Sequence, residues 1–235
     1  MGLKQLQNEL KAKANSEKAR VLMRFFKTGP GEYAEGDQFL GVVVPESRKL
    51  VKKYQNLLLR DCTQLIHSPV HEERLIGLLL LVNRYNKASQ QEQSNIYETY
   101  LRNTTHVNNW DLVDLTAPHI VGRHLFNKPK QILYTLARSK NLWERRIAIL
   151  ASFYFIKRDH FNVTCDIAKI LLKDEHDLIH KAVGWMLREI GKRNMHVEED
   201  FINRFGLKMP RTMLRYAIEK FPERKRRYYL LRGKD

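Results

Sequence analysis

The sequence predicts an all-α chain, an α-solenoid of antiparallel helix pairs. Three observations predict it. Glycine and proline are scarce, 11 and 7 in 235 residues, which argues against a β chain full of tight turns. Apolar residues recur at helical spacing along nearly the whole length. A weak internal repeat has a period in the thirties, the length of a unit of two helices.

The elements follow in order. Spacing predicts helices over 3–12, 16–27, 46–56, 61–67, 70–86, 89–103 and 109–125, then over 129–138, 142–157, 161–173, 177–192, 198–205, 210–220 and 223–231. Ser16 is a plausible N-cap, Pro45 suits a first helical turn, and Asn109 can cap the next long helix. The apolar run Leu75-Ile-Gly-Leu-Leu-Leu-Leu-Val82 is too short to span a bilayer and reads as a buried helix. Residues 28–38 form the one clear long loop. Val42-Val-Val44 is the only strand-like piece, too short to carry a sheet. The chain is expected to form a single domain over 1–235, with a basic C-terminal tail over 222–235.

The repeat appears when the long helices are overlaid. His71-Glu-Glu-Arg74-Leu-Ile-Gly resembles Trp143-Glu-Arg-Arg146-Ile-Ala-Ile, and Asn141 precedes Arg146 by the same interval as Asn109 precedes Asp114. The equivalent positions become Arg74, Asp114, Arg146, Lys181 and Arg215, spaced by 40, 32, 35 and 34 residues. This is the sign of a solenoid of the HEAT or armadillo kind, in which one helix of each pair lines a concave surface. A non-repeating helical bundle is the alternative. If the register holds, one stripe of a concave basic face carries four cations around a single carboxylate.

Charge narrows the partners. Lys and Arg number 42 against 26 Asp and Glu, a net charge of +16. That points first to nucleic acid and second to an anionic membrane, with a merely soluble basic surface as the bland reading. The N-terminus lacks an apolar signal core, so the protein is expected in the cytoplasm, as a monomer. Cys62 and Cys165 read as reduced core residues. His176 and His180 have the spacing of a helical metal pair but no third ligand, and no phosphate-cradling glycine loop or nucleophile elbow is present. No metal or cofactor is expected.

Trp110 and Asp114 put an aromatic ring and a carboxylate one turn apart on one helix face. On a face that meets a polyanion, an acid would need a chemical reason to be there. Trp185 stands in the same relation to Lys181. Against this, solenoid repeats often tie units together with buried acid–base pairs, which accounts for Asp114 and Arg146 without function. A helical tryptophan is more often core than catalytic. The tail Arg224-Lys-Arg-Arg-Tyr-Tyr229 either grips a nucleic-acid strand or is a solvated helix end.

At these residues the chain resembles a known family. Asn109-Trp-Asp-Leu-Val-Asp114, Asn141-Leu-Trp-Glu-Arg-Arg146-Ile-Ala-Ile-Leu150 and Lys181-Ala-Val-Gly-Trp185-Met-Leu-Arg-Glu189 look like the three signature helices of the bacterial HEAT-like-repeat DNA glycosylases, the DNA alkylation repair enzyme D family. Phe39-Leu-Gly-Val-Val-Val-Pro45 resembles its N-terminal marker, and the similarity runs from about residue 16 to about residue 220. Two departures stand out. The 28–37 loop is longer than in the best-studied members, and Val43 is apolar where a polar residue is expected nearby.

The resemblance implies an enzyme that releases N3- or N7-alkylated purines from double-stranded DNA in base excision repair. It implies Asp114, Trp110 and Trp185 at the lesion and Arg146 on a phosphate. The cations Lys181, Arg215 and Arg211 are expected to continue the phosphate track. An alkylated purine is cationic and already an activated leaving group, so one carboxylate beside the sugar suffices for the oxocarbenium-like transition state. Relatives with this fold but little or no glycosylase activity keep two other readings open. One is a non-catalytic scaffold for branched or distorted DNA; the other is a solenoid that binds an acidic protein.

Overall fold

Helices make up nearly all the regular structure of residues 2–232, the part that the computed structural model describes. Among the described residues there is no strand, only an isolated bridge between Gln38 and Val70. Residues 1 and 233–235, and with them the end of the 222–235 tail, lie outside the described residues. The chain forms two compact units that divide between Thr116 and Ala117.

The first unit holds α1 (Leu3–Lys11), α2 (Ser16–Phe25), α3 (Val44–Lys53), α4 (Leu59–Ile66), α5 (His71–Lys87), α6 (Gln90–Arg102) and α7 (Trp110–Asp114). Helix α5 is its centre and packs on α3, α4, α6 and α7. Its run Leu75–Leu81 is buried on every side, which is why it lacks the polar stripe of a surface helix. The cap of α2 is Asn15, whose side chain accepts from Lys18 N; Ser16 is already the first helical residue. An asparagine at the preceding position competes for the cap and wins. Pro45 lies in the first turn of α3, where a missing N–H costs nothing. Val42 and Val43 are loop, and Val44 opens α3.

That loop is held by one buried acid. Glu72 Oε1 accepts the backbone N–H groups of Leu40, Gly41 and Val42 at 3.1, 2.8 and 3.1 Å. Gly41 has φ +82°, and a Cβ there would come within 2.1 Å of Asn15 O, so glycine is required. Leu40 O in turn accepts from Asn15 N. The Phe39–Pro45 segment thereby ties α5 to the start of α2.

The second unit begins with a π-helical turn, Pro118–Gly122, and continues with α8 (Arg123–Leu125), α9 (Gln131–Leu136), α10 (Leu142–Ala151), α11 (Phe153–Ile156), α12 (Asn162–Ile170), α13 (Asp177–Gly191), α14 (Met195–Phe205), α15 (Arg211–Ala217) and α16 (Glu223–Leu231). Helices α10, α13 and α15 pack in series, with α12 and α14 against α13. This is the solenoid-like stacking of helix pairs the sequence predicts. Gly184 allows the closest approach: a Cβ there would meet Met213 O at 2.4 Å, so α13 and α15 touch at their backbones.

Further sequence expectations change. The single helix over 109–125 is broken: α7 ends at Asp114, and the π-helical turn precedes α8. Proline at 118 has no N–H for the carbonyl of Asp114, so the α-helical ladder stops there. The repeat register also changes at one place. Asp114, Arg146, Lys181 and Arg215 each stand five residues after the N-caps Asn109, Asn141, His176 and Pro210. Arg74 stands only four after Val70, and its counterpart is Arg145. Arg74 Nη1 donates to the carbonyls of Ser68 and Pro69, and Arg145 Nη1 to those of Ser139 and Lys140. Both serines also accept a backbone N–H two residues on. Arg74 therefore does not belong to the series with Asp114.

Candidate functional site

Helix α7 carries the first group of candidates. Asn109 caps it, its Oδ1 accepting from Trp110 N at 2.8 Å. Trp110 is half-buried and stacks on Phe26, with centroids 5.2 Å apart and planes at 19°. Phe25 lies 5.1 Å from Phe26 and 5.8 Å from Trp110, edge-on to both. Those near-equal distances set Phe25 beside the stack, not on top of it. Phe26 also stacks on Phe39, and Phe39 on His71. One indole face is thus fixed by protein.

Asp114 ends α7 and is half-buried. The backbone around it is braced. Thr116 Oγ1 donates to Leu112 O, so the Tyr100 hydroxyl donates to Thr116 Oγ1, at 2.9 Å. Burial pushes the Tyr100 phenol well above its ordinary range, the bond to Thr116 acts against this, and the Asp114 charge adds to the rise.

Behind α7 lies a buried charge network that sequence reasoning missed. His71 Nε2 is 2.9 Å from Asp111 Oδ2 and His71 Nδ1 is 3.6 Å from Asp37 Oδ2. Arg74 Nη2 comes to 2.6 Å of the same Asp37 oxygen, an ion contact with poor hydrogen-bond alignment. Burial pulls the His71 pKa down, but the bonds to Asp111 and Asp37 outweigh it and hold the imidazole above its ordinary value. Burial pushes Asp37 up, yet His71 and Arg74 bring its carboxyl below the usual range. The network pins the 28–38 loop, through Asp37, to the helices that hold Trp110. Its members are scattered over 37, 71, 74 and 111, so only the spacing of His71 and Arg74, three residues apart on α5, offered a local signal.

The second unit carries the other candidates. Arg146, on α10, is only 5% exposed, and its Nη1 donates to Leu178 O in the first turn of α13 at 2.6 Å. Its neighbour Arg145 pairs with Asp174 at 2.6 Å. Trp185, on α13, is half-buried; its Nε1 donates to Glu189 Oε1 at 3.1 Å and its ring lies 5.9 Å from Phe153. Lys181 pairs with Asp177 at 2.6 Å. Arg211 is exposed and donates to Leu230 O, and Arg215 is exposed. The stripe expected from the repeat is therefore uneven: Arg74 and Arg146 are buried, while Lys181 is half-exposed.

His176 and His180 have structural tasks. His176 Nδ1 accepts from Leu178 N as the cap of α13, and His180 Nε2 contacts Asp174 O. Cys62 and Cys165 are free thiols, and burial pushes both up to about 11. Neither is poised as a nucleophile at neutral pH. No described helix is long and apolar enough to cross a membrane.

Comparison with known proteins agrees with this architecture. A solved structure described as a predicted DNA alkylation repair enzyme from Enterococcus faecalis superposes with a TM-score of 0.68 at 18% identity, over 90% of this chain and 98% of that one. At that identity the likeness shows the fold. No curated protein matches. The sequence model of the DNA alkylation repair enzyme family matches residues 6–221, and the chain belongs to that family, whose role is DNA alkylation repair and whose partner is DNA.

Proposed function

We propose that the protein is a DNA glycosylase that hydrolyses the N-glycosidic bond of N3- or N7-alkylated purines in duplex DNA. The observation that carries this reading is Asp114. It is a half-buried carboxylate at the end of a five-residue helix that begins at Trp110, in a chain of net charge +16. The stacking of Trp110 on Phe26 and the Tyr100–Thr116–Leu112 bonds brace the short helix that carries both groups. Such preorganisation is what electrostatic catalysis requires.

The chemistry follows from the substrate. Alkylation at N3 or N7 gives the purine a positive charge and makes it a good leaving group. As the C1′–N bond breaks, its electron pair goes to the base and positive charge builds on the sugar. Asp114 stabilises that charge and orients the water that attacks C1′; the water's proton passes to the carboxylate or to solvent. An indole face against the cationic nucleotide contributes about 0.5–2 kcal/mol and less to a neutral base, which favours the lesion. Trp110 takes this role in the reading. Arg211, Arg215 and Lys181 supply phosphate contacts, which position a duplex without reading its sequence. Arg146 meets a phosphate only with the part of its guanidinium that its bond to Leu178 O leaves over.

The competing reading is a non-catalytic scaffold for branched or distorted DNA. Base release from methylated duplex DNA, followed by chromatography of the free bases, separates the two. Release of 7-methylguanine and 3-methyladenine by the wild type and its loss in Asp114→Asn support the glycosylase. No release, with tight binding to junction DNA, supports the scaffold.

A further inference from the structure

We propose that α16 is an additional DNA contact, made with the phosphate backbone through Arg224 and Arg227. The helix lies beyond residues 6–221, so family membership assigns it no role. Its cations Arg224, Lys225, Arg226 and Arg227 are opposed within it by Glu223 alone, and Arg232 follows as its C-cap.

The two sides of α16 differ. One side anchors the helix to α14. Tyr229 is buried, and its hydroxyl bonds to Glu199 and Asn203. Lys225 pairs with Glu199 at 2.8 Å, and Arg232 reaches Asn203. The other side carries Arg224, Tyr228 and Leu231 at helical spacing, with Arg227 beside them. All four are exposed, and Tyr228 and Leu231 are 59% and 60% exposed. This outward side has cations for phosphate and an aromatic ring for sugar, the combination found on nucleic-acid tracks.

Two further observations favour a polyanion. Arg211 Nη2 donates to Leu230 O, which sets the start of α15, with exposed Arg211 and Arg215, against the C-terminal end of α16. This adds the exposed cations of α15 to those of α16. Arg227 and Arg226 now pair with the exposed Glu223, at 2.9 and 3.3 Å. Exposed pairs of this kind hold weakly, so a phosphate can take the place of Glu223. The anchored side keeps α16 ordered before DNA arrives, so little ordering entropy opposes the contact.

The test is the salt dependence of binding to an undamaged, fluorescein-labelled duplex, read by fluorescence anisotropy. It does not depend on any glycosylase activity. Each phosphate contact contributes about 0.9 to the slope of log affinity against log salt, so Arg224→Gln with Arg227→Gln is expected to reduce the slope by about 2. Both side chains are exposed, and an unchanged melting temperature confirms that the fold survives. A control pair with the same loss of charge, Lys87→Gln with Arg102→Gln, is expected to leave the slope within about 0.5 of the wild type. A wild-type slope in the α16 pair overturns the proposal, as does an equal fall in the control pair. An unchanged slope with lost binding to phosphatidylglycerol vesicles also overturns it and assigns the helix to membranes.

Discussion

Glu72→Gln offers a quantitative test of how the N-terminal loop is held. In the wild type, three backbone N–H groups converge on Glu72 Oε1, at 2.8–3.1 Å. Glutamine keeps an oxygen there but loses the charge. A hydrogen bond to a charged group contributes about 1.5–3 kcal/mol and a neutral one about 0.5–1.5, so each bond weakens by about 1 kcal/mol. Three bonds sharing one oxygen are not additive, and a net loss of about 2 kcal/mol is expected. Glu72→Ala removes the acceptor entirely and leaves the buried N–H groups of Gly41 and Val42 unpaired. Its cost is expected to exceed that of the glutamine variant by a further ~2 kcal/mol or more. Urea unfolding gives both numbers, and amide exchange at Gly41 and Val42 should quicken in the same order. A Glu72→Gln protein within about 0.5 kcal/mol of the wild type would contradict this, because the three short contacts could then carry no charge-assisted energy. The loop also seats α2 through the Asn15–Leu40 bond, so a loosened loop is expected to loosen the Phe26 support of Trp110.

Two other perturbations follow. Arg146→Ala is expected to lower stability by about 1.5–3 kcal/mol, because it removes a buried side chain and the charged donor of the part-buried carbonyl Leu178 O; if Arg146 also grips a phosphate, the salt slope of DNA binding falls by about 1 as well. Glu198 is 2% exposed, and burial pushes its carboxyl up to about 8. The folded state therefore binds its proton more tightly than the unfolded chain, so the stability it contributes is full below the unfolded value of 4.5 and declines as pH rises toward 8. Glu198→Gln carries no such penalty, and its melting temperature relative to the wild type is expected to rise steadily from about pH 5 to about pH 8; a constant difference contradicts the assignment.

Much of the fold was legible because it is written in local signals. Helix boundaries from Leu3 to Leu231 follow apolar periodicity, and Asn109 and Asn141 announce their helices as caps. The break after Asp114 was also written in the chain, in Pro118, but the strong apolar spacing of 109–125 masked it. Arg74 was placed in the wrong register because its flanking residues resemble those of Arg146. The better signal was the serine six residues before each arginine with glutamate just ahead of it, Ser68, Glu73 and Arg74 against Ser139, Glu144 and Arg145. The His71 network and the Glu72 clasp were not legible, because a contact between residues 37 and 71, or 41 and 72, leaves no periodic trace. Burial was illegible for the same reason. The sequence left Arg146 open between a phosphate contact and a buried structural pair, and only the packing of α10 on α13 shows that much of its hydrogen-bonding capacity is directed inward.

The central claim is that Asp114 performs chemistry on a cationic nucleotide. The most direct measurement is single-turnover release of 7-methylguanine from methylated duplex DNA by Asp114→Asn, with duplex affinity measured on the same preparation. The asparagine keeps the size and much of the hydrogen bonding of the aspartate but removes the charge. DNA binding at or above wild-type affinity is expected, with a fall in release rate of at least about a hundredfold, the scale of losing one preorganised electrostatic group. Release at the wild-type rate, with binding intact, would contradict the claim.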